Sequence, residues 1–417
     1  MSICSDVTDY EWLTSDEARP LLDELAEDPA PLHTAVARLR GRFSPVRTHL
    51  LIEQVELRRR AAAKFTNARR MFFTRVGLEQ ATDEWVAAHK VKRFADLFTA
   101  QRAGSVSARR SPVFADLCSG IGGDLMALAK ISSAFGVELN PVAAHFAATN
   151  SGATVRTSDV AQFDFADVDA WHIDPDRRPH GERTTSLEYC EPNLATMERL
   201  LDRVSHAAVK LAPAARVPPH WADHCELEWI SRDRQCRQVV AWHGDLARSP
   251  GLSRATILPG AGHSAPSSWP RGGLAHRTLT GTPNQTIPLT LQLDRYVFDV
   301  DPAVVAAHLI GALAAEYNLK ALATGPTYLT GPSAIDDVAL AAFDVQEVLP
   351  LKLSQLAAHL RERSIGQLEI KKRGIDIDPE KLRRDLKLRG NNAATLLAAH
   401  VANRPTAILA HRMAARD

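Results

Sequence analysis

One stretch of the chain, residues 113–140, constrains the fold more than any other. A short apolar run there contains Asp116, and Gly120 and Gly122 follow it. Glycine has no Cβ, so it lets the backbone turn tightly and approach a ligand closely. Beyond the turn, apolar residues recur at helical spacing, and a second short apolar run closes with Glu138. This order of elements is typical of the nucleoside-binding half of a doubly wound α/β sheet, where the closing acid binds the ribose hydroxyls.

The spacing of the glycines discriminates between possible ligands. The dinucleotide fingerprint G-x-G-x-x-G requires a glycine three residues after Gly122, and Leu125 stands there. Asp116 would repel a pyrophosphate, but it suits a cofactor that carries an amino acid with an ammonium group. S-adenosylmethionine is such a cofactor, and an NAD-dependent oxidoreductase is the least favoured interpretation.

The segment Asp116-Leu-Cys-Ser-Gly-Ile-Gly-Gly-Asp124 resembles motif I of class I S-adenosylmethionine-dependent methyltransferases. Its Cys-x-Gly-x-Gly-Gly form is similar to the RNA-directed branch that includes the trimethylguanosine synthases. The resemblance implies a cofactor site built from six residues: Asp116, Gly120, Gly122, Asp124, Glu138 and Asp159. In it, Asp116 and the glycine turn would hold the methionine end, Glu138 the ribose and Asp159 the adenine amine. Three of these acids close or follow successive strands, where open α/β sheets bind ligands.

The fourth predicted strand ends in the segment 171–178, Trp-His-Ile-Asp-Pro-Asp-Arg-Arg. Amino-methylating relatives carry Asp, Asn or Ser there, followed by two prolines and an aromatic residue. Asp174 and Pro175 match this pattern, whereas Asp176 and Arg177 depart from it. An arginine can stack on a base or bind phosphate, so methylation of a base stays open. We predict that Asp174 is the catalytic residue.

Residues 1–105 are predicted to form a helical N-terminal domain, because apolar residues recur at helical spacing and glycine is scarce. The interval 36–75 holds eleven Arg or Lys residues against two acids, a balance of +9. Such a surface could bind phosphates, with Phe65, Phe72 and Phe73 interleaved among the charges, or it could be a solvated helix face. The end of the region, residues 71–82, resembles the segment that caps the pocket in trimethylguanosine synthases, which makes Thr82 a pocket candidate.

Four segments follow from these patterns, and the predicted fold class is α/β. After the helical domain, residues 106–246 are predicted to form a Rossmann-like class I methyltransferase sheet that ends in an antiparallel hairpin. Residues 247–286, rich in Gly, Pro and Ser, are predicted to be a loop-rich linker. Residues 287–417 are predicted to form a C-terminal α+β domain. Its segments 370–374 and 382–390 resemble the THUMP-like domain attached to such methyltransferases, and THUMP domains proper bind RNA.

Composition excludes several other classes of protein. The five cysteines have no C-x-x-C pair and no metal-ligand spacing, which favours a reducing compartment and argues against a zinc site. The N-terminal residues are acidic and have no apolar core, and no apolar run approaches the roughly 18 residues of a membrane span. We therefore expect a cytoplasmic protein with no metal and no membrane partner. The oligomeric state stays open.

Three functions compete. The first is an S-adenosylmethionine-dependent methyltransferase that acts on RNA, on a base of tRNA or rRNA. The second is an RNA-binding protein with a vestigial methyltransferase domain, which the altered segment after Asp174 favours and the intact cofactor motif opposes. The third is a small-molecule methyltransferase whose basic segments are solvated surface; salt-sensitive RNA binding would count against it.

Overall fold

The computed structural model describes residues 7–103, 111–178, 181–182, 184–260 and 277–413. The chain forms two compact units. The first comprises the described parts of Met1–Leu227, Gln238–Gly251 and Leu258–Ala275. The second comprises those of Glu228–Arg237, Leu252–Ile257 and His276–Asp417.

The described part of the first unit begins with six α-helices, of which the first five share one apolar core. They are α1 (Val7–Thr14), α2 (Ala18–Glu27), α3 (Leu32–Arg40), α4 (Pro45–Ala61), α5 (Arg75–Gln80) and α6 (Glu84–Ala103). The N-terminal cap of α4 is typical: the Ser44 hydroxyl accepts the backbone N–H of Arg47, and Pro45 occupies the first helical position. The core of these helices includes Ile121 and Phe146, which belong to the α/β part of the same unit.

The α/β part alternates strands and helices as predicted. Its elements are β1 (Val113–Leu117), α7 (Leu125–Leu128), β2 (Ser133–Glu138), α8 (Pro141–Ser151), β3 (Thr154–Thr157), β4 (Ala170–Ile173), α9 (Leu194–Arg203), β5 (Ala207–Leu211), α10 (Pro219–His224), β6 (Glu226–Arg232) and β7 (Gln235–His243). Among these strands the order is β3-β2-β1-β4-β5-β7-β6, and residues 228–237 at the turn between β6 and β7 belong to the second unit. The first five strands are parallel, and β7 runs antiparallel to β5. The predicted α/β fold with a terminal hairpin is confirmed.

The register of the central strands decides which side chains meet. Asp116 of β1 pairs with Gly136 of β2 on one side and with His172 of β4 on the other. Beyond β4, Ile173 pairs with Val209 of β5. The carboxyl ends of these parallel strands therefore lie along one edge, where an open α/β sheet binds its ligands.

The segment 247–286, predicted to be a loop-rich linker, contains two strands, so that prediction is wrong in part. They are β8 (Ser253–Leu258) and β9 (Arg277–Gly281), and they pair antiparallel. The run Ser-Arg-Ala-Thr-Ile-Leu at 253–258 has the alternation of a strand, but the Gly, Pro and Ser residues on either side of it dominate the composition. Residues 261–276 of the predicted linker lie outside the described residues.

The rest of the second unit is an α+β arrangement around a seven-stranded sheet. Its elements are β10 (Tyr296–Val300), α11 (Pro302–Ala306), α12 (Ile310–Glu316), β11 (Lys320–Ala321), β12 (Leu329–Gly331), β13 (Leu340–Pro350), α13 (Leu353–Glu362), β14 (Ile365–Lys372), α14 (Pro379–Leu386), β15 (Asn392–Val401) and β16 (Arg404–Arg412). The strand order is β11-β12-β10-β13-β16-β15-β14. Strands β14 and β15 are parallel, and α13 and α14 contribute to a core with them.

The apolar residues between Pro302 and Tyr317 recur at the spacing of one continuous helix, but the structure has two, α11 and α12. His308 has a φ of 57° between α11 and α12, a left-handed conformation that ends a helix. Asp378 is the N-cap of α14, since its carboxylate accepts the backbone N–H groups of Glu380 and Lys381.

Candidate active site

The glycine turn after β1 has the left-handed backbone conformation that its glycines allow. Gly120 has a φ of +54° and Gly122 a φ of +88°, in the region that glycine tolerates best. A Cβ on Gly122 would lie 3.1 Å from Ala147 Cα of α8, so the turn packs closely against that helix. A Cβ on Gly120 would meet no atom within 4 Å. The turn therefore leaves open space beside Gly120, where a ligand can approach the backbone.

A chain of four charged or polar side chains lies beneath this turn; we call it the buried network (Asp116, His172, Lys90 and Asp124). Asp116 Oδ1 is 2.7 Å from His172 Nδ1, and His172 Nε2 is 2.9 Å from Lys90 Nζ. Lys90 Nζ is in turn 2.7 Å from Asp124 Oδ1. Asp116 and His172 are each 1% exposed and Lys90 is 2% exposed, so water has little access to these groups.

The order of donors and acceptors in the buried network follows from its contacts. Beside the Asp124 carboxylate, Lys90 is an ammonium, which donates hydrogen bonds and cannot accept them. His172 Nε2 must therefore be the accepting nitrogen, and Nδ1 carries the proton that is donated to Asp116. The imidazole is then neutral. One polar atom stays unsatisfied, since Asp116 Oδ2 is buried and has no hydrogen-bond partner within the described chain.

Burial and neighbouring charges move the pKa values of the buried network in opposite directions. Burial raises the pKa of Asp116 and lowers that of Lys90, because it disfavours the charged form of each. Burial alone would also raise the pKa of Asp124, but the adjacent Lys90 ammonium holds it well below its usual range. Asp124 is thus a firmly ionised partner of Lys90.

Glu138 lies at the end of β2, beside the turn. Its carboxylate accepts the backbone N–H groups of Gly120 at 2.8 Å and Asn140 at 2.9 Å. Burial raises its pKa despite these hydrogen bonds. The next residue, Leu139, is 63% exposed, which is unusual for a large apolar side chain at this edge. Asp159 is exposed after β3, and its carboxylate caps a short helix by accepting the N–H of Ala161 at 2.8 Å.

Asp174, the predicted catalytic residue, follows β4 directly. Its backbone N–H donates to Leu117 O at 3.3 Å, which places it next to the glycine turn. Its Oδ2 is ion-paired with the ammonium of Lys210 on β5, whose Nζ also donates to Gln80 O at 3.2 Å. The other carboxylate oxygen, Oδ1, makes no hydrogen bond with any described residue, and the side chain is 25% exposed.

The segment after Asp174 folds back on itself. The backbone groups of Asp176 and Glu191 exchange two hydrogen bonds, at 2.8 and 2.9 Å. Arg178 lies 3.9 Å from the Glu79 carboxylate, so it joins this segment to the 71–82 segment. Thr82, the pocket candidate, lies against the motif, since a Cβ on Gly123 would be 3.0 Å from Thr82 O. The Thr82 hydroxyl is buried and has no hydrogen-bond partner within the described chain.

Sequence reasoning missed Lys90, His172 and Lys210. Two of them carried a signal: His172 and Lys210 interrupt the apolar runs Ala-Trp-His-Ile and Ala-Ala-Val-Lys-Leu of buried strands, where a polar side chain needs a partner. The parallel register places each beside an acid, Asp116 and Asp174 respectively. Lys90 carried no such signal, because nothing in α6 fixes its position relative to the sheet.

The basic interval 36–75 is less free than its composition indicates. Phe65, Phe72 and Phe73 are 1–2% exposed members of the core, so the expectation that they interleave with a phosphate-binding surface is wrong. Six of the cations are held by internal contacts: Arg38, Arg47, Arg58, Lys64, Arg69 and Arg75. Five arginines are exposed and have no acidic partner among the described residues: Arg40, Arg42, Arg59, Arg60 and Arg70.

The described part of the chain has neither a membrane-spanning helix nor a metal-ligand group. None of the helices in that part of the chain has the length and apolar character to cross a membrane. No group of three or more His, Cys, Asp or Glu side chains there is arranged to hold a metal ion.

Comparison with known proteins shows which families and chains this sequence is similar to. Residues 340–412 match the THUMP domain-like family, and residues 6–61 match a domain of unknown function (DUF8688). An uncharacterized S-adenosylmethionine-dependent methyltransferase of Mycobacterium tuberculosis (strain CDC 1551 / Oshkosh) is 29% identical over 383 residues, 87% of this chain and 95% of the relative. A second such protein, from strain H37Rv, gives the same values.

A solved structure shares the fold. The crystal structure of a provisionally assigned methyltransferase from Porphyromonas gingivalis W83 is 19% identical and covers 98% of both chains with a TM-score of 0.70. This likeness concerns the fold alone, and the curated relatives and the THUMP-like match add the sequence relationship. The chain is therefore a homologue of S-adenosylmethionine-dependent methyltransferases, with a THUMP-like domain at residues 340–412.

Proposed function

We propose that this S-adenosylmethionine-dependent methyltransferase acts on RNA, on an exocyclic amine of a tRNA or rRNA base. The observation that carries the proposal is the position of Asp174. It follows the fourth strand beside the glycine turn, one carboxylate oxygen is held by Lys210, and the other makes no hydrogen bond within the described chain. An ionised carboxylate so held can accept a hydrogen bond from an amine N–H and orient its nitrogen.

The residues at the turn fit S-adenosylmethionine on three counts. Asp116 Oδ2 is a buried, unsatisfied acceptor that suits an ammonium group. Gly120 leaves open space beside the backbone, and the Glu138 carboxylate next to it suits two ribose hydroxyls. Leu139, 63% exposed, offers an apolar surface near Glu138. In this assignment Asp159 receives the adenine amine, and Asp124 acts indirectly through Lys90.

The cofactor, when bound, supplies an electrophilic methyl group on a sulfonium. The residues of this chain do the positioning. Asp174 orients the acceptor nitrogen, and Lys210 holds the Asp174 carboxylate in place by pairing with it. Asp174 serves as a hydrogen-bond acceptor in this scheme, and the amine proton leaves to solvent after the transfer. Burial raises the pKa of the Cys118 thiol, which makes it unsuited to act as a nucleophile.

RNA is the proposed partner for two reasons. Residues 340–412 match the THUMP domain-like family, and THUMP domains proper bind RNA. Five exposed arginines between residues 40 and 70 have no acidic partner within the described chain and are available to phosphates. We retain 1–105, 106–246 and 287–417 as three proposed domains, joined by the segment 247–286, which contains β8 and β9. A cytoplasmic location belongs to the same proposal.

The test uses radioactive S-adenosylmethionine and two preparations of bulk RNA. One comes from cells in which the gene has been deleted, and the other comes from cells that carry it. We expect label to enter the first RNA and not the second, and to be found in a base after digestion to nucleosides. The Asp174→Ala variant should bind the cofactor but transfer at least about a hundredfold more slowly. Label in a small-molecule extract instead would favour the third alternative, and cofactor binding without transfer to any acceptor would favour a vestigial domain.

A further inference from the structure

Lys90 raises a question that the cofactor motif does not answer. It lies on α6, outside the α/β part of the first unit, yet its ammonium is 2% exposed and contacts both Asp124 and His172. A buried ammonium is expensive unless its partners are well arranged, so its placement here needs a reason.

The reason follows from the protons. Around the His172 imidazole, the facing titratable groups are Asp116 of β1, Asp124 of the turn and Lys90 of α6, with Lys210 of β5 and Asp174 further away. Since Lys90 donates to Nε2, the imidazole has only one proton, which Nδ1 donates to Asp116 Oδ1. This hydrogen bond fixes Oδ1 and with it the orientation of the Asp116 carboxylate. The charged Oδ2 has no hydrogen-bond partner among the described residues.

We propose that Lys90 is a positioning residue for the cofactor: it fixes His172 as the neutral Nδ1–H tautomer and so keeps the Asp116 carboxylate ionised and aimed at the ammonium group of S-adenosylmethionine. The inference rests on the cofactor site proposed above. It assigns to the N-terminal helices a part in binding the cofactor, besides any part in binding RNA.

Without the Lys90 ammonium, the positive charge of the buried network would move to His172. The net charge of the network would stay the same. Without Lys90, the imidazole lies between two carboxylates, with Nδ1 2.7 Å from Asp116 and Nε2 3.6 Å from Asp124. These carboxylates favour an imidazolium there. The positive charge then lies directly against Asp116, instead of one residue further away on Lys90. The charge of Asp116 is offset, and the ammonium of the cofactor loses its partner.

The first measurement is made on the unmodified protein without cofactor. Long-range 1H–15N NMR of protein labelled at histidine distinguishes the two neutral tautomers and the imidazolium. The His172→Gln variant identifies the signals of His172 among the sixteen histidines. We expect the Nδ1–H tautomer at neutral pH. An Nε2–H tautomer or an imidazolium would overturn the proposal, whatever the enzyme methylates and whether or not the Lys90 variant folds.

The second measurement compares Lys90→Met with Lys92→Met, a control on the same helix whose lysine is exposed. Calorimetry should show S-adenosylmethionine binding about ten- to a hundredfold weaker in Lys90→Met, the range for losing a hydrogen bond to a charged group. Binding of 5′-methylthioadenosine, which lacks the amino acid portion, should stay within about twofold. In the same variant His172 should become an imidazolium, and Lys92→Met should leave all three values unchanged.

The pattern of failure separates this proposal from the proposed function. Equal weakening of both ligands in Lys90→Met would mean general damage to the pocket and would overturn the positioning role. Unchanged binding of S-adenosylmethionine would overturn it as well. If the unmodified protein binds neither ligand, the cofactor site of the proposed function fails, whereas absence of RNA methylation alone would leave the role of Lys90 intact.

Discussion

Each unit of the protein holds an aspartate that is almost fully buried among charged side chains. The net charge of the group of side chains around each aspartate has the opposite sign in the two units. Asp116, 1% exposed, belongs to the buried network, in which two carboxylates face one ammonium and a neutral imidazole. Asp299, 5% exposed, is surrounded by three cations at 2.9–3.5 Å: Arg234, Lys371 and Arg373. We call these four residues the basic cluster. The buried network has one negative charge in surplus, and the basic cluster has two positive charges in surplus.

The difference indicates what each site can attract. A surplus carboxylate with an unsatisfied oxygen suits a small cation such as the ammonium of the cofactor. The three cations of the basic cluster are each 24–29% exposed at the side chain, so their charge reaches solvent and suits a polyanion. Lys371 and Arg373 also lie within the THUMP-like match. We therefore propose opposite tasks for the two aspartates: Asp116 binds the ammonium of the cofactor, and Asp299 organises cations that bind RNA.

The largest effect is expected for Asp116→Asn. The substitution keeps the shape of the side chain and removes the surplus charge, so S-adenosylmethionine should bind about a hundredfold more weakly, equivalent to about 3 kcal/mol. Asp299→Asn is the matched control in the other unit, and its cofactor affinity should equal that of the unmodified protein. Calorimetric titration measures both. Unchanged affinity in Asp116→Asn would remove Asp116 from the cofactor site.

A smaller effect is expected when cations of the basic cluster are removed. The double variant Lys371→Gln and Arg373→Gln should bind bulk RNA about tenfold more weakly at moderate salt. The slope of log K against log salt concentration should fall by about 1 to 2, because fewer counterions are released. Arg295→Gln provides the control in the same unit, since Arg295 is paired with Asp344. Fluorescence anisotropy with labelled RNA measures these slopes, and equal slopes in all three proteins would place RNA elsewhere.

The two aspartates should also respond oppositely to acid. Burial alone would raise the pKa of Asp299, but Arg373, Lys371 and Arg234 lower it further than burial raises it. A carboxyl whose folded pKa is depressed stabilises the fold above its unfolded pKa of about 4, and this contribution is lost as the pH falls through the folded value. Asp299→Asn should therefore be less stable than the unmodified protein at neutral pH, by about 1–3 kcal/mol, and the gap should close in acid.

For Asp116 the effect of pH on the stability of the fold has the opposite sign. Burial raises its pKa, so its charged form destabilises the fold above the folded pKa, and acidification relieves this destabilisation. Relative to Asp116→Asn, the unmodified protein should therefore become more stable as the pH falls from 7 toward 4. Urea titrations at a series of pH values measure the free energy of unfolding of all three proteins. Parallel trends for the two variants would contradict the contrast between the sites.

Much of the α/β part could be predicted because its signals are local. The glycine turn, the acid Glu138 and the strand ends lie within a few dozen residues, and their order alone indicates the sheet. Asp116 and His172 are neighbours through the register of two predicted strands, so their pairing was within reach of sequence reasoning. The contact between Lys90 and Asp124 was not, because it depends on how α6 packs, which no local pattern specifies.

The errors have similar physical causes. Phe65, Phe72 and Phe73 look like base-stacking residues in the sequence, because aromatic residues among arginines occur both in nucleic-acid surfaces and in helical cores. In the structure Arg58 lies over the ring of Phe72 within the core, 4.8 Å from its centroid. Strands β8 and β9 were missed because composition averaged over 247–286 hides a short alternating run. Composition describes a segment, whereas burial is decided by its partners.

The smallest effects concern two buried hydroxyls without a hydrogen-bond partner in the described chain, one in each unit: Ser119 beside the glycine turn and Tyr328 near Asp299. Removing such a group is nearly neutral for stability, so Ser119→Ala and Tyr328→Phe should each change the free energy of unfolding by less than about 0.5 kcal/mol.

The effects of these two substitutions on ligand binding should differ. If Ser119 follows Asp116 into the cofactor site, its hydroxyl is unsatisfied because a ligand satisfies it, and Ser119→Ala should weaken S-adenosylmethionine binding about threefold to tenfold. Tyr328→Phe should leave that affinity unchanged. Equal cofactor affinities in the two variants would mean that the unsatisfied Ser119 hydroxyl is a feature of packing, and that the cofactor's ammonium end is recognised by Asp116 without it.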